Sequence, residues 1–109
     1  MSRKTVSSVH APKAIGPYSH AVWTGNLLYC SGQAAVDPAT GKLAPGGIGE
    51  QTQQTFDNLE SVLKDSGLSL DNVIKVNVYL TSMSNFPGMN AVYQTRFNAP
   101  YPARTTVAV

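Results

Sequence analysis

A single α+β domain spanning residues 1–109 is the fold class this sequence predicts, and three observations predict it. Residues 72–81 alternate, with Ile74, Val76, Val78 and Leu80 on one face and Val73, Lys75, Asn77 and Tyr79 on the other, the period of a half-buried strand. Residues 50–66 repeat Phe56, Leu59, Val62 and Leu63 at three- and four-residue steps, the period of an amphipathic helix. Two β-rich stretches flank Gly25-Asn26, which reads as a hairpin with a tight turn. The order is then strand, strand, strand, helix, strand, helix, strand, and the simplest architecture is a mixed β-sheet with two helices packed on one face. The other sheet face stays open in a monomer, so burial between protomers is expected.

The first strand covers residues 4–9, rich in β-branched side chains. Pro12, Gly16 and Pro17 then force a bend that sets Tyr18 just beyond it. Tyr18 is open to two readings, a cleft residue or a cap on the core. The hairpin pairs residues 21–24 with residues 27–31 and ends at Ser31-Gly32-Gln33, where a small hydroxyl precedes a glycine and lets the backbone approach a ligand. Ser31 has no acid or histidine beside it in sequence, so it reads as a hydrogen-bonding group and not a nucleophile.

Residues 37–49 hold two prolines and four glycines and predict a loop. Gly41-Lys42 is followed by Leu43 with no glycine five positions earlier, so this is no phosphate loop. Gly67 closes the first helix. The second helix is expected from Ser84 as N-cap to about Phe97, with Pro87 in its first turn and Phe86, Met89, Tyr93 and Phe97 as its apolar face. Asn90 falls on that face, where a buried amide needs partners and orients either a loop or a ligand.

Residues 102–109 predict a last strand, because Pro102 excludes helix and Thr105, Thr106, Val107 and Val109 favour extended chain. Arg104 sits where loop becomes strand. Its planar fork of donors fits a carboxylate or phosphate with two parallel bonds; the alternatives are a pairing with a neighbouring acid or simple solvation.

Eight Lys and Arg against six Asp and Glu give a net charge of +2 without basic runs, a weak basis for nucleic-acid binding. Charged residues are only 13% of the chain, which fits a surface partly hidden by self-association. The lone Cys30 excludes an internal disulfide and suits a reducing compartment. His10, His20 and Cys30 lack zinc-site spacing, so no metal is expected. No apolar run approaches the roughly twenty residues of a membrane span, and a soluble protein is expected.

Ile15-Gly16-Pro17-Tyr18-Ser19, Tyr29-Cys30-Ser31-Gly32-Gln33, Asp37-Pro38 with Gly41, Asn58-Leu59, Met89-Asn90-Ala91-Val92-Tyr93 and Pro102-Ala103-Arg104 together resemble the RidA family, also called YjgF/YER057c/UK114. The resemblance covers nearly the whole chain. It implies a chorismate-mutase-like fold, a homotrimer with clefts between protomers, and hydrolysis of 2-iminopropanoate and 2-iminobutanoate to 2-oxo acids and ammonia without a cofactor. It implies a cytoplasmic address, with a mitochondrial one as the alternative.

Carried over position by position, Arg104 matches the arginine that binds the substrate carboxylate. Tyr18, Ser31 and Asn90 match residues lining the cleft, and Gly32 fits close backbone approach there. Thr106 stands where many members carry cysteine, so no thiol role transfers to it. The resemblance also implies a further strand beyond Val109 bearing a glutamate that handles the water; the chain as given lacks that strand, and its catalytic acid is unassigned. Two other classes stay open: an endoribonuclease or translation inhibitor, and a non-catalytic trimer that binds small carboxylates or acts like a chaperone.

Overall fold

The computed structural model describes residues 2–109. Three short strands, β1 (Lys4–Val6), β2 (Ala21–Thr24) and β3 (Leu27–Cys30), form an antiparallel ladder in sequence order. Thr24 stands opposite Leu27, so the hairpin loop is the two residues expected. Gly25 has φ +55 and Asn26 does not enter positive φ, so only the glycine uses the left-handed freedom of the turn.

The remaining elements are α1 (Ile48–Asp65), β4 (Lys75–Leu80), α2 (Phe86–Arg96) and β5 (Ala103–Ala108). β4 and β5 pair in parallel, with Val76 opposite Arg104 and Val78 opposite Thr106. A parallel pair needs a crossover, and α2 is that crossover. The α+β class with mixed strand pairing and two helices is therefore realised, as an antiparallel and a parallel ladder that share no strand.

α1 holds the two ladders to each other. Its Phe56 packs with Leu80, Met89, Tyr93 and Phe97, while further along the same helix its Val62 packs with Ala11 and Ala21. Phe56, Tyr93 and Phe97 meet edge-on or tilted, with centroids 4.9–5.7 Å apart.

Element ends differ from the sequence reading for local polar reasons. β1 stops at Val6 because Ser8 turns inward: its N–H donates to His20 Nδ1 at 2.9 Å and its hydroxyl to Asp65. α1 starts at Ile48, where Glu50 accepts from the Gly47 N–H. Residues 70–72 form a short 3-10 turn capped by Ser69, so β4 begins at Lys75 and Ile74 is left 70% exposed, not inward. Ser82, not Ser84, caps a 3-10 turn before α2, whose own N-cap is Asn85. Pro87 lies in the first turn of α2, where its missing N–H costs no helical bond.

Candidate functional site

Arg104 is the second residue of β5, on the face that α2 covers. From α2, Phe86, Asn90 and Tyr93 recur at four- and three-residue steps and therefore point the same way. All three meet the guanidinium. Its Nη1 donates to Asn90 Oδ1 at 2.7 Å, and its carbon lies 4.6 Å from the Tyr93 ring centroid and 5.3 Å from that of Phe86. The sequence reading placed Asn90 here but missed Phe86 and Tyr93, which their helical spacing marked only as core.

Among the described residues no carboxylate answers this charge. Among the described residues the ion pairs are those of His10 with Asp65 and of Arg96 with Asp57 and Glu60. Arg104 Nε and Nη2 have no protein partner among the described residues, so one edge of the fork is open to an anion with two oxygens. Arg104 lines a pocket of about 320 Å³ together with Asn90, Tyr93, Gln94, Tyr101 and Pro102. A larger hollow of about 430 Å³ lies beside Glu60, Lys64 and Arg96, but there the guanidinium is already engaged by acids.

Tyr93 is 4% exposed, and its hydroxyl finds no hydrogen-bond partner. Burial pushes the phenol up and the Arg104 charge pulls partly the other way, so it is held as the neutral phenol at ordinary pH. Thr106, two residues after Arg104 and on the same strand face, has a buried hydroxyl that is also unpartnered. Both hydroxyls are closed off from solvent, and Thr106 is not among the residues lining the Arg104 pocket.

Tyr18, Ser31 and Gly32 stand elsewhere in the protomer, at the bend and at the end of β3, and none lines the Arg104 pocket. Ser31 donates from Oγ to the Ser19 carbonyl at 2.6 Å and from its N–H to the His20 carbonyl, clamping the bend to the hairpin. Tyr18 is 48% exposed, so it does not cap the core. Gly32 is exposed, with nothing within 4 Å of where a Cβ would stand. His20, weighed from the sequence only as a metal ligand, has a structural role: it is buried, accepting from Ser8 at Nδ1 and bonding the Pro12 carbonyl through Nε2, and it ties the N-terminal segment to β2.

The family whose sequence model is described as Endoribonuclease L-PSP matches residues 8–109. A mouse protein named 2-iminobutanoate/2-iminopropanoate deaminase is 43% identical over 107 residues, 98% of this chain and 79% of its own length. Protein mmf2, mitochondrial, of Schizosaccharomyces pombe is 50% identical over 93 residues, 85% of this chain and 72% of its own. The crystal structure of RidA from the Antarctic bacterium Psychrobacter superposes with a TM-score of 0.93 at 42% identity, covering 98% of this chain and 86% of that one. Both the sequence match and the shared fold extend over nearly all of the chain, and it belongs to the Endoribonuclease L-PSP family, the family of the RidA proteins.

Proposed function

We propose that this protein hydrolyses small 2-imino acids, 2-iminopropanoate and 2-iminobutanoate, to the 2-oxo acids and ammonia, with Arg104 holding the carboxylate. The observation that carries the reading is the half-buried Arg104, without an acid partner among the described residues, in the lining of a pocket. Relatives named for that activity, at about 43% identity in the mouse protein, support it. The pocket suits a small acid in size, and the protein's basic residues form no run of the kind an RNA backbone needs.

The chemistry asks little of the protein. A protonated imine is already electrophilic at carbon; water adds there, a proton moves from that oxygen to nitrogen, and the C–N bond breaks as the carbonyl forms, releasing ammonia. Fixing the carboxylate turns this into a reaction of a positioned centre, and the remaining requirement is a group that takes the water's proton. None of the acids among the described residues lines the Arg104 pocket.

The site is completed by assembly. Leu27 and Tyr29 on β3, and Tyr79 beside Val107 on β4 and β5, leave an apolar surface that a protomer alone exposes. A homotrimer burying this surface brings Tyr18, Ser31 and Gly32 of one copy within reach of another copy's Arg104 and Thr106. No cofactor or metal enters the reading. The protein acts in the cytoplasm or, as the name of the fission-yeast relative suggests, in mitochondria.

The deciding experiment generates 2-iminobutanoate in situ with a pyridoxal-phosphate dehydratase and follows 2-oxobutanoate release with and without the protein, beside an RNA cleavage assay and a 2-oxobutanoate titration. Faster imine loss supports the reading. RNA cleavage without imine hydrolysis would establish the endoribonuclease, and binding without either activity the non-catalytic trimer.

A further inference from the structure

We propose that Phe86 and Tyr93 are positioning residues that hold the Arg104 guanidinium between their rings, so that only its Nε–Nη2 edge meets a ligand and the pocket selects planar carboxylates over their neutral amides. The inference rests on the reading of Arg104 as a carboxylate-binding group and adds what fixes its orientation.

Phe86 and Tyr93 are seven residues apart on α2, which sets their Cα atoms roughly 10 Å apart along the helix axis. The guanidinium carbon lies over both rings, 5.3 Å from the Phe86 centroid and 4.6 Å from that of Tyr93, so each ring reaches the cation. Asn90, between the two rings in sequence, takes the Nη1 side at 2.7 Å. Three contacts from one helix thus restrain a side chain that otherwise loses several rotatable bonds' worth of freedom on binding a ligand. The rings attract the cation through their faces, and they leave its in-plane donors unspent. With no acid in contact, the charge stays available to a ligand.

A merely structural pair of core aromatics makes no prediction about the guanidinium itself, so the guanidinium is what the test reads. In the full-length protein carrying 15N-labelled arginine, Arg104 is expected to show Nε–H and Nη signals displaced by ring currents and resolved by slow rotation. Arg96, which lies 5.4 Å over Phe56 and is paired with acids, serves as internal control. Phe86→Leu is expected to collapse the Arg104 pattern and leave Arg96 unchanged, Phe86→Trp to restore it, and Tyr93→Phe to preserve it because the ring remains. Phe86→Met replaces the leucine variant if that one unfolds.

Calorimetric titration supplies the second reading. Phe86→Leu is expected to weaken 2-oxobutanoate about threefold to tenfold while leaving 2-oxobutanamide unchanged. An unaltered Arg104 spectrum in a folded Phe86→Leu protein, or an equal loss for acid and amide, overturns the proposal. Wild-type protein that binds no 2-oxobutanoate defeats the carboxylate reading of Arg104, whereas the arginine spectra still decide whether the rings hold the guanidinium.

Discussion

Arg104 carries a charge that no acid among the described residues answers, and its substitution is the most direct check on the site. Arg104→Lys keeps the charge but loses the parallel fork, and it is expected to lower kcat/KM for 2-iminobutanoate about tenfold to a hundredfold while the melting temperature holds. Gly32→Ala separates folding from ligand approach in the same way. A Cβ at position 32 meets nothing within 4 Å in the protomer, so the melting temperature should not move, and slower imine turnover would place ligand or a second copy there.

Asp65 offers a pH test unconnected with the site. The Ser8 hydroxyl bond is the main cause holding its carboxyl below the ordinary aspartate value of 3.8, with His10 and Lys64 adding to the effect against a desolvation cost. A depressed folded-state value means stability that is present above that ordinary value and lost as pH falls through the depressed one. Melting curves of wild type and Asp65→Asn are expected to differ near neutrality and converge in acid.

At the scale of elements, α1 matters because it alone packs on both clusters of the core. Its Asn58 is 1% exposed; Nδ2 donates to the Val36 carbonyl at 2.8 Å and the Ala34 carbonyl at 3.2 Å, while Oδ1 accepts from Gln54. The loop after β3 therefore hangs on one side chain of the helix. Asn58→Ala leaves those carbonyls without their donor and is expected to cost about 2–4 kcal/mol in denaturant unfolding. The periodicity of α1 marked Phe56, Leu59, Val62 and Leu63 as core; Phe56, Val62 and Leu63 are buried and Leu59 is half-buried. Asn58 was visible only as part of a family pattern, since no local rule assigns a buried amide to distant carbonyls.

For the whole molecule the assembly reading rests on aromatic side chains exposed on both ladders, Tyr79 of β4 at 66% and Tyr29 of β3 at 65% in the protomer. The trimer reading expects light scattering to report three times the protomer mass at micromolar concentration. Tyr79→Glu should shift that mass to the monomer, because a carboxylate buried without a partner in such an interface is costly. A trimer that persists in Tyr79→Glu would move the interface to another face.

The sequence by itself determined the main helices and strands and most of their faces. The hairpin across Gly25-Asn26, the stripe of α1 and the alternation of β4 are periodic, and the spacing of side chains about a helix or strand depends on the backbone alone. It also singled out Arg104 and Asn90, one by its place at a strand mouth and the other by a polar group on an apolar face. Only the tertiary structure decided that these two meet, that Phe86 and Tyr93 flank the guanidinium, and that Ser31 and His20 serve the bend and the N-terminal segment. Those pairings join residues distant in sequence, and their partners are chosen by how α2 lies across the parallel β4–β5 ladder, a matter of packing that no local period records.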